Sequence, residues 1–215
     1  RRVFNNSSWR QGGRFHGGWW QHIGSEHRPY IRLDGERTIE VDYSGIHIVL
    51  LYAELGINYF NEHGGDPYEI NLPEINDPVF SRELAKTAML IGINAKNEKS
   101  TLGAIRKAFF RNENKPKSLS LTNALLSKVL RQLRDKHPLI GDKLCSGAGI
   151  DLQFTDSQIT EKIVEHFTSI SVPVLCIHDS YIVPEDYAGD LREVMRSAWS
   201  SNVSLTNHVS NIWDK

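Results

Sequence analysis

Two aspartates stand where an ionised carboxylate needs a partner. Asp42 lies at the end of residues 38–43, which alternate as in a β-strand, and Asp179 follows the apolar run 174–178. A carboxylate at the tip of a buried strand is costly unless a cation or a hydrogen-bond donor accompanies it. Two such carboxylates on neighbouring strands can hold two Mg²⁺ ions, or Mn²⁺ in their place, roughly 3.5–4 Å apart for in-line phosphoryl displacement. The alternative is that each aspartate simply caps a turn or a helix.

Two cations have the spacing of one helix face. Arg82 and Lys86 are four residues apart in a stretch with helical periodicity. In that position they can clamp a triphosphate and offset the charge of a leaving pyrophosphate. The alternative is that both are ordinary solvent-exposed helix charges.

The elements that would position these residues follow from hydrophobic periodicity. We predict strands over 38–43 and 172–178, a hairpin return over 180–184, and an irregular, aromatic-rich segment over 1–28. Helices are predicted over 46–55, 81–94 (with Ser81 as its cap), 100–110, 119–136, 156–168 and 186–199. This order indicates an α+β fold interrupted by a helical insertion over 81–143, between domain parts 1–80 and 144–215.

Composition narrows the class of protein. With 40% apolar and 24% charged residues, the chain resembles a soluble globular protein, and no apolar run approaches the ~18 residues of a membrane span. Two cysteines without a CxxC spacing disfavour a disulfide framework or a thiolate zinc site, and they suit a cytoplasmic location. Because the chain begins at Arg1 without Met, we expect that an upstream domain or partner protein is missing.

Charge is segregated along the chain. The net charge is +4 over 1–37, −8 over 38–80, +9 over 81–143 and −6 over 144–215. Such blocks suit a protein that holds cations in one place and phosphates in another, although solvated helix faces would give the same pattern.

Five short motifs resemble, in order, those of the family A DNA polymerases and the related single-subunit, phage-type RNA polymerases. Residues 41–47 (VDYSGIH) resemble motif A, Arg82 and Lys86 form the Arg-x-x-x-Lys of motif B, and residues 177–180 (IHDS) resemble motif C. Upstream, Gly13-Arg14 and residues 21–23 (QHI) resemble elements that lead into motif A, and Gln153 occupies a position where the family often has Gln. The short separation of Asp42 and Asp179 indicates a compact, divergent member of this polymerase superfamily. The resemblance also implies a bacterial or phage-type origin.

The resemblance implies a right-hand polymerase palm, an antiparallel sheet with helices, carrying a short helical fingers insertion and no evident thumb. It implies that Asp42 and Asp179 ligate two Mg²⁺ ions with the Tyr43 carbonyl as an added ligand, and that Arg82 and Lys86 bind the triphosphate. The remaining implied contacts are with the nucleotide, at Tyr43, His47, Leu90 and Asn94, and with the primer–template, at Arg14, Gln153 and His178.

Departures from the family pattern concern the sugar site. His47 stands where the DNA polymerases usually carry Glu, Asn94 where they usually carry Tyr, and Leu90 where they usually carry an aromatic residue. Ser180 replaces an acidic residue that often follows the motif C aspartate. The sugar gate is therefore rebuilt, and the preference between rNTPs and dNTPs stays open.

The sequence thus predicts a metal-dependent nucleotidyltransferase that adds nucleoside triphosphates to the 3′ end of a DNA or RNA primer–template and has no membrane partner. A palm module that binds nucleic acid or nucleotides with little catalysis, and a metal-dependent nuclease, remain as alternatives. His178-Asp179 also resembles the pair of HD phosphohydrolases, but those proteins carry it on helices, whereas this pair lies at a predicted strand end.

Overall fold

The computed structural model of the protein describes residues 1–110, 116, 119–203 and 212–214. The fold is mixed α+β. Its strands are β1 (Arg2–Asn5), β2 (Ser8–Phe15), β3 (Arg32–Leu33), β4 (Glu36–Tyr43), β5 (Leu175–Ile177), β6 (Ser180–Pro184) and β7 (Ile212–Asp214). Its α-helices are α1 (Ile46–Glu54), α2 (Tyr59–Glu62), α3 (Pro78–Asn94), α4 (Glu98–Ala108), α5 (Asn123–Lys136), α6 (Gly149–Ser169) and α7 (Ala188–Asn202).

The chain divides into two compact units. The first combines residues 1–63 with 150–215, and the second is the intervening stretch 64–149. The first unit holds both sheets together with α1, α2, α7 and nearly all of α6, whereas α3, α4 and α5 belong to the second. The units divide between residues 63 and 64 and between residues 149 and 150. The boundaries predicted from the sequence lie at 80/81 and 143/144.

The main sheet of the first unit is antiparallel, in the order β3-β4-β6-β5, with β7 pairing β4 as well. Alternation along β4 buries Val41 and Tyr43 completely, as its period-two pattern indicates. All five residues of β6 are buried, because this strand lies between β4 and β5. The predicted strand over 38–43 and the hairpin return over 180–184 are therefore confirmed.

The longer helices of the first unit each bury an apolar face. Every residue of α1 from Ile46 to Ala53 is buried, which is why its sequence is almost continuously apolar. On α6 the buried positions Leu152, Ile159, Ile163 and Phe167 recur at helical spacing. The helix starts at Gly149, seven residues before the predicted start at 156, so Gln153 lies inside it.

The prediction of an irregular segment over 1–28 is wrong for its first half. β1 and β2 form an antiparallel hairpin, and Asn6 and Ser7 make its turn with φ of 53° at both. Positive φ at both central residues is the backbone of a type I′ turn. Two register shifts, one of them beside Gly12, interrupt the pairing. These irregularities and the exposed, polar residues of the hairpin hid the strand alternation in the sequence.

Among its described residues, the second unit contains the α-helices α3, α4 and α5, which pack against one another. α3 begins at Pro78 and is capped by Asp77, whose Oδ1 accepts hydrogen bonds from the N–H groups of Val79 and Phe80. The predicted cap, Ser81, is instead buried inside the helix. Proline is well suited to the first helical position, and the preceding Asp is a strong N-cap, so this pair moves the start three residues upstream.

No helix among the described residues is long and apolar enough to cross a membrane.

Candidate active site

The two aspartates predicted to bind metal lie on paired segments of one sheet. Asp42 near the end of β4 is in register with Ser180, the first residue of β6 and the neighbour of Asp179. One step further, the Tyr43 N–H donates a hydrogen bond of 3.1 Å to the Asp179 carbonyl oxygen. Both side chains are half-buried. The fold therefore places Asp42 and Asp179 on neighbouring, paired segments of the backbone although 136 residues separate them along the chain.

Asp179 occupies the tip of a tight hairpin. β5 and β6 pair up to Ile177 and Ser180, so His178 and Asp179 form a two-residue turn. His178 has φ of 56°, in a region that costs a residue with a side chain roughly 1–2 kcal/mol. Strained backbone of this kind persists where the surrounding structure holds it and is frequent at functional sites. The exposed His178 ring also lies edge-on to His16, with 5.8 Å between ring centroids.

Tyr43 can offer a site only its backbone. Its side chain is 1% exposed, packs against Tyr181 and Trp199, and donates a hydrogen bond to the carbonyl oxygen of Met195. Burial raises the pKa of the phenol well above its usual value, with the Asp156 carboxylate adding to the effect. The expected role of the Tyr43 carbonyl is compatible with this packing, whereas a nucleotide contact through the ring is not.

A buried carboxylate braces the hairpin from β4. Glu40 is 9% exposed, accepts a hydrogen bond of 2.7 Å from the Ser180 hydroxyl, and forms an ion pair of 2.8 Å with Arg28 Nε. The sequence singled out Ser180 as a departure from the family pattern. Its hydroxyl ties the residue after Asp179 to the strand that carries Asp42.

A second buried cluster joins three elements of the first unit. Arg14 on β2 donates from Nε to Asp156 Oδ2 on α6 at 2.7 Å, and its Nη2 lies 3.0 Å from His47 Nε2 on α1. The side chains of Asp156 and Arg14 are 1% and 18% exposed. The two residues predicted to contact primer and sugar, Arg14 and His47, therefore touch each other.

Burial and charge set the protonation of this cluster. The pKa of His47 is lowered to about 4, first by desolvation. Electrostatic repulsion from Arg14, and then from nearby His178, acts on this pKa in the same direction. Desolvation raises the pKa of Asp156 to about 7, where Arg14 opposes the rise and Asp179 adds to it. The pKa of His178 is lowered, by desolvation first and then by Arg14, while Asp179 opposes that change. His47 is consequently neutral at pH 7.

The motif B residues lie in the second unit, on α3. Arg82 and Lys86 are exposed and one turn apart, as their spacing predicted. Arg82 forms a salt bridge with Asp66 and lies over the ring of Tyr68, at 5.6 Å from its centroid.

The predicted nucleotide residues Leu90 and Asn94 follow on α3. Both are exposed, and Asn94 Nδ2 donates a hydrogen bond of 2.7 Å to the Leu90 carbonyl oxygen. Their roles remain predictions.

Gln153 is half-buried on α6, three residues before Asp156. Asp156 itself was missed, although the sequence carried a signal for it. It falls in the apolar stripe formed by Leu152, Ile159 and Ile163, where a carboxylate needs a buried partner.

The donor set at the hairpin consists of oxygen atoms, the ligands that Mg²⁺ prefers. Two carboxylates and one carbonyl leave coordination positions for water and phosphate oxygens, as is usual for Mg²⁺ in phosphoryl-transfer sites. Among the described residues, no group of three or more His, Cys, Asp and Glu side chains is arranged to hold a metal ion. Asp42 and Asp179 offer carboxylate oxygens of the kind that Mg²⁺ prefers, from neighbouring segments of the sheet.

Neither the scan against protein-family models nor the comparison with curated proteins gives a match to this chain.

Proposed function

We propose that the protein is a metal-dependent nucleotidyltransferase that adds nucleotides to a nucleic-acid 3′ end, with the first unit as a polymerase-like palm. The observation that carries the proposal is the pairing of the Asp42 strand with the strand that follows Asp179. Two carboxylates on adjacent antiparallel segments, one of them on a strained hairpin, supply the donor set for phosphoryl transfer at a pair of metal ions.

Some residues of the site would bind the metal ions, and others would hold those residues in position. Asp42 and Asp179 would hold Mg²⁺, with the Tyr43 carbonyl as an added ligand. When bound, the ions would lower the pKa of the attacking 3′-hydroxyl and offset charge on the phosphates. Glu40, Arg28 and Ser180 keep the hairpin that carries Asp179 fixed against β4. A 1 Å displacement of such a group can cost about a hundredfold in rate, so these contacts matter to chemistry as well as folding.

Phosphate binding would fall to the cations of α3. Arg82 and Lys86 share one exposed helix face, and the stretch 81–143 carries a net charge of +9. Clustered positive charge attracts a polyanion and makes its binding depend on salt. The proposed partners are therefore nucleoside triphosphates and a DNA or RNA primer–template.

Primer extension tests the proposal. The purified protein is incubated with a labelled primer, with or without a template, and with Mg²⁺ or Mn²⁺ and either dNTPs or rNTPs. Metal-dependent lengthening of the primer in at least one combination is the expected result. Binding of the primer–template without lengthening in any of them would replace the proposal with a nucleic-acid-binding palm, and shortening of the primer would indicate a nuclease.

A further inference from the structure

The Asp156–Arg14–His47 cluster places one guanidinium between two buried side chains from different elements. Arg14 Nε donates to Asp156 at 2.7 Å, and Nη2 lies 3.0 Å from His47 Nε2. A guanidinium has five N–H groups and no acceptor. In the Nη2 contact, therefore, Arg14 is the donor and His47 Nε2 is the acceptor.

This contact assigns the tautomer of His47. With Nε2 as the acceptor, a neutral imidazole carries its proton on Nδ1. Nδ1 is buried and has no hydrogen-bond partner within the part of the chain that the structure describes. The whole residue is 6% exposed. Both ring nitrogens are thus turned inward, and His47 presents no polar atom to a ligand in this arrangement.

The exposed polar group of the cluster is the guanidinium itself. Arg14 is 18% exposed, compared with 1% for Asp156. Nε and Nη2 are engaged by Asp156 and His47, which leaves the two N–H groups of Nη1 to be offered to a ligand. Because Asp156 contacts both Nε and Nη2 and His47 contacts Nη2, the two residues fix the plane of the guanidinium and so the direction in which Nη1 points.

We propose that Asp156 and His47 are positioning residues, which hold Arg14 so that its remaining N–H groups meet acceptor atoms of the bound primer–template. The inference rests on the proposed function and deepens it, because it changes the role of His47 from a sugar contact to a support for Arg14. It also gives Asp156 a role in nucleic-acid binding without any contact between that carboxylate and the ligand.

The first measurement needs no substrate. In ¹⁵N-resolved NMR spectra at pH 7, wild-type His47 is expected as the Nδ1–H tautomer with Nε2 accepting. In Asp156→Asn the guanidinium loses the carboxyl group that orients it, so the Nε2–H tautomer should appear. A wild-type His47 protonated on Nε2 would overturn the inference, because Arg14 could not then donate to it.

The second measurement is the affinity for a DNA duplex with a recessed 3′ end, followed by fluorescence anisotropy. Asp156→Asn, His47→Phe and Arg14→Lys should each raise Kd about 5- to 50-fold, since each removes the fixed orientation or the planar fork. Asp156→Asn combined with Arg14→Lys should bind no worse than Arg14→Lys alone, as expected for residues that act through one another. Circular dichroism of each variant checks that it folds.

Glu161→Gln is the matched control, because Glu161 lies on the same helix and pairs with Arg2 at a more exposed site. Its Kd should stay within about twofold of wild type, as a surface ion pair contributes little. Additive effects of Asp156→Asn and Arg14→Lys, or wild-type binding by a folded Asp156→Asn, would overturn the inference. Primer extension by the same proteins reports separately on the proposed function, so tight binding without extension would reject catalysis while leaving the positioning role in place.

Discussion

The backbone N–H of Tyr43 donates a hydrogen bond to the carbonyl oxygen of Asp179, at 3.1 Å. The two segments proposed to hold metal are thus joined through main-chain atoms, and Asp42 is aligned with Ser180 by strand pairing. Backbone hydrogen bonds involve no side-chain atoms, so they can form whichever side chain a residue has. Substitution of either aspartate should therefore leave the geometry of the sheet unchanged, which makes these residues suitable for tests of function.

Glu40→Ala should destabilise the first unit by about 2–4 kcal/mol, because it leaves the largely buried Arg28 without its carboxylate and Ser180 without its acceptor. Urea denaturation measures the free energy of unfolding. Glu161→Ala removes a more exposed ion pair with Arg2 and should cost less than about 1 kcal/mol. Equal costs for the two variants would contradict the bracing role of Glu40.

Relative to wild type, the stability of His47→Gln and that of Asp156→Asn should change in opposite directions as the pH rises. The pKa of His47 is lowered from 6.5 to about 4 by folding, so its contribution is fully present above pH 6.5 and is lost as the pH falls towards 4. The pKa of Asp156 is raised from 3.8 to about 7, so its contribution is present below pH 3.8 and is lost as the pH rises towards 7. Across this window the two groups act in opposite directions.

Relative to wild type, His47→Gln should therefore lose about 3 kcal/mol of unfolding free energy as the pH rises from 4 to 6.5. Asp156→Asn should gain about 4 kcal/mol relative to wild type between pH 4 and 7. Urea denaturation at half-unit pH steps gives both differences. Parallel pH curves for wild type and either variant would show that the residue concerned has the same pKa in the folded and unfolded chains.

Lys86→Ala should raise the apparent nucleotide KM and lower kcat, because it removes positive charge proposed to face the phosphates. A combined loss in kcat/KM above about tenfold is expected from steady-state primer extension. A loss below about tenfold would mean that the role is misassigned or shared with another base of the same unit, such as Arg106 or Lys107. Lys136→Ala at the end of α5 serves as a control for general loss of positive charge.

Ribonucleotides should be excluded only weakly, because neither Asn94 nor the buried His47 can block a 2′-hydroxyl as the Tyr and Glu of family A DNA polymerases do. With no Tyr–Glu pair to block the 2′ position, we expect kcat/KM for an rNTP within about a hundredfold of the matched dNTP. Asn94→Tyr should shift the ratio towards dNTPs. A wild-type preference for dNTPs above ~10⁴ would show that other residues form the gate.

Regular hydrophobic patterns in the sequence predicted the central strands of the fold. Features that depend on contacts between distant residues were not predicted. Alternation at 38–43 and the apolar run before His178 predicted β4, β5 and β6, because each strand is buried where its pattern is apolar. Neighbouring strands for Asp42 and Asp179 were predicted from their matching positions at strand ends, whereas the register of Asp42 with Ser180 was not predicted, since no local signal encodes contacts between distant residues. The β1–β2 hairpin was not predicted because its pairing is irregular and its burial does not follow a strict period of two.

Polar contacts between residues distant in the sequence could not be predicted from the sequence either. Asp156 meets Arg14 across 142 positions, and Glu40 meets Ser180 across 140. Only the position of Asp156 in an apolar helical stripe marked it as unusual. His47 was predicted to contact the nucleotide sugar, whereas its burial against Arg14 depends on how α1 packs and could not be predicted from neighbouring residues.

The most direct test of the central claim is the rate of Mg²⁺-dependent primer extension by wild type, Asp42→Asn and Asp179→Asn at equal concentration. Wild type should lengthen the primer, and each variant should be slower by at least about a thousandfold, since loss of a metal-binding carboxylate removes charge stabilisation that acts in the transition state. Unfolding free energy and primer–template Kd should remain close to wild type in both variants. Extension by either variant at the wild-type rate would contradict the account.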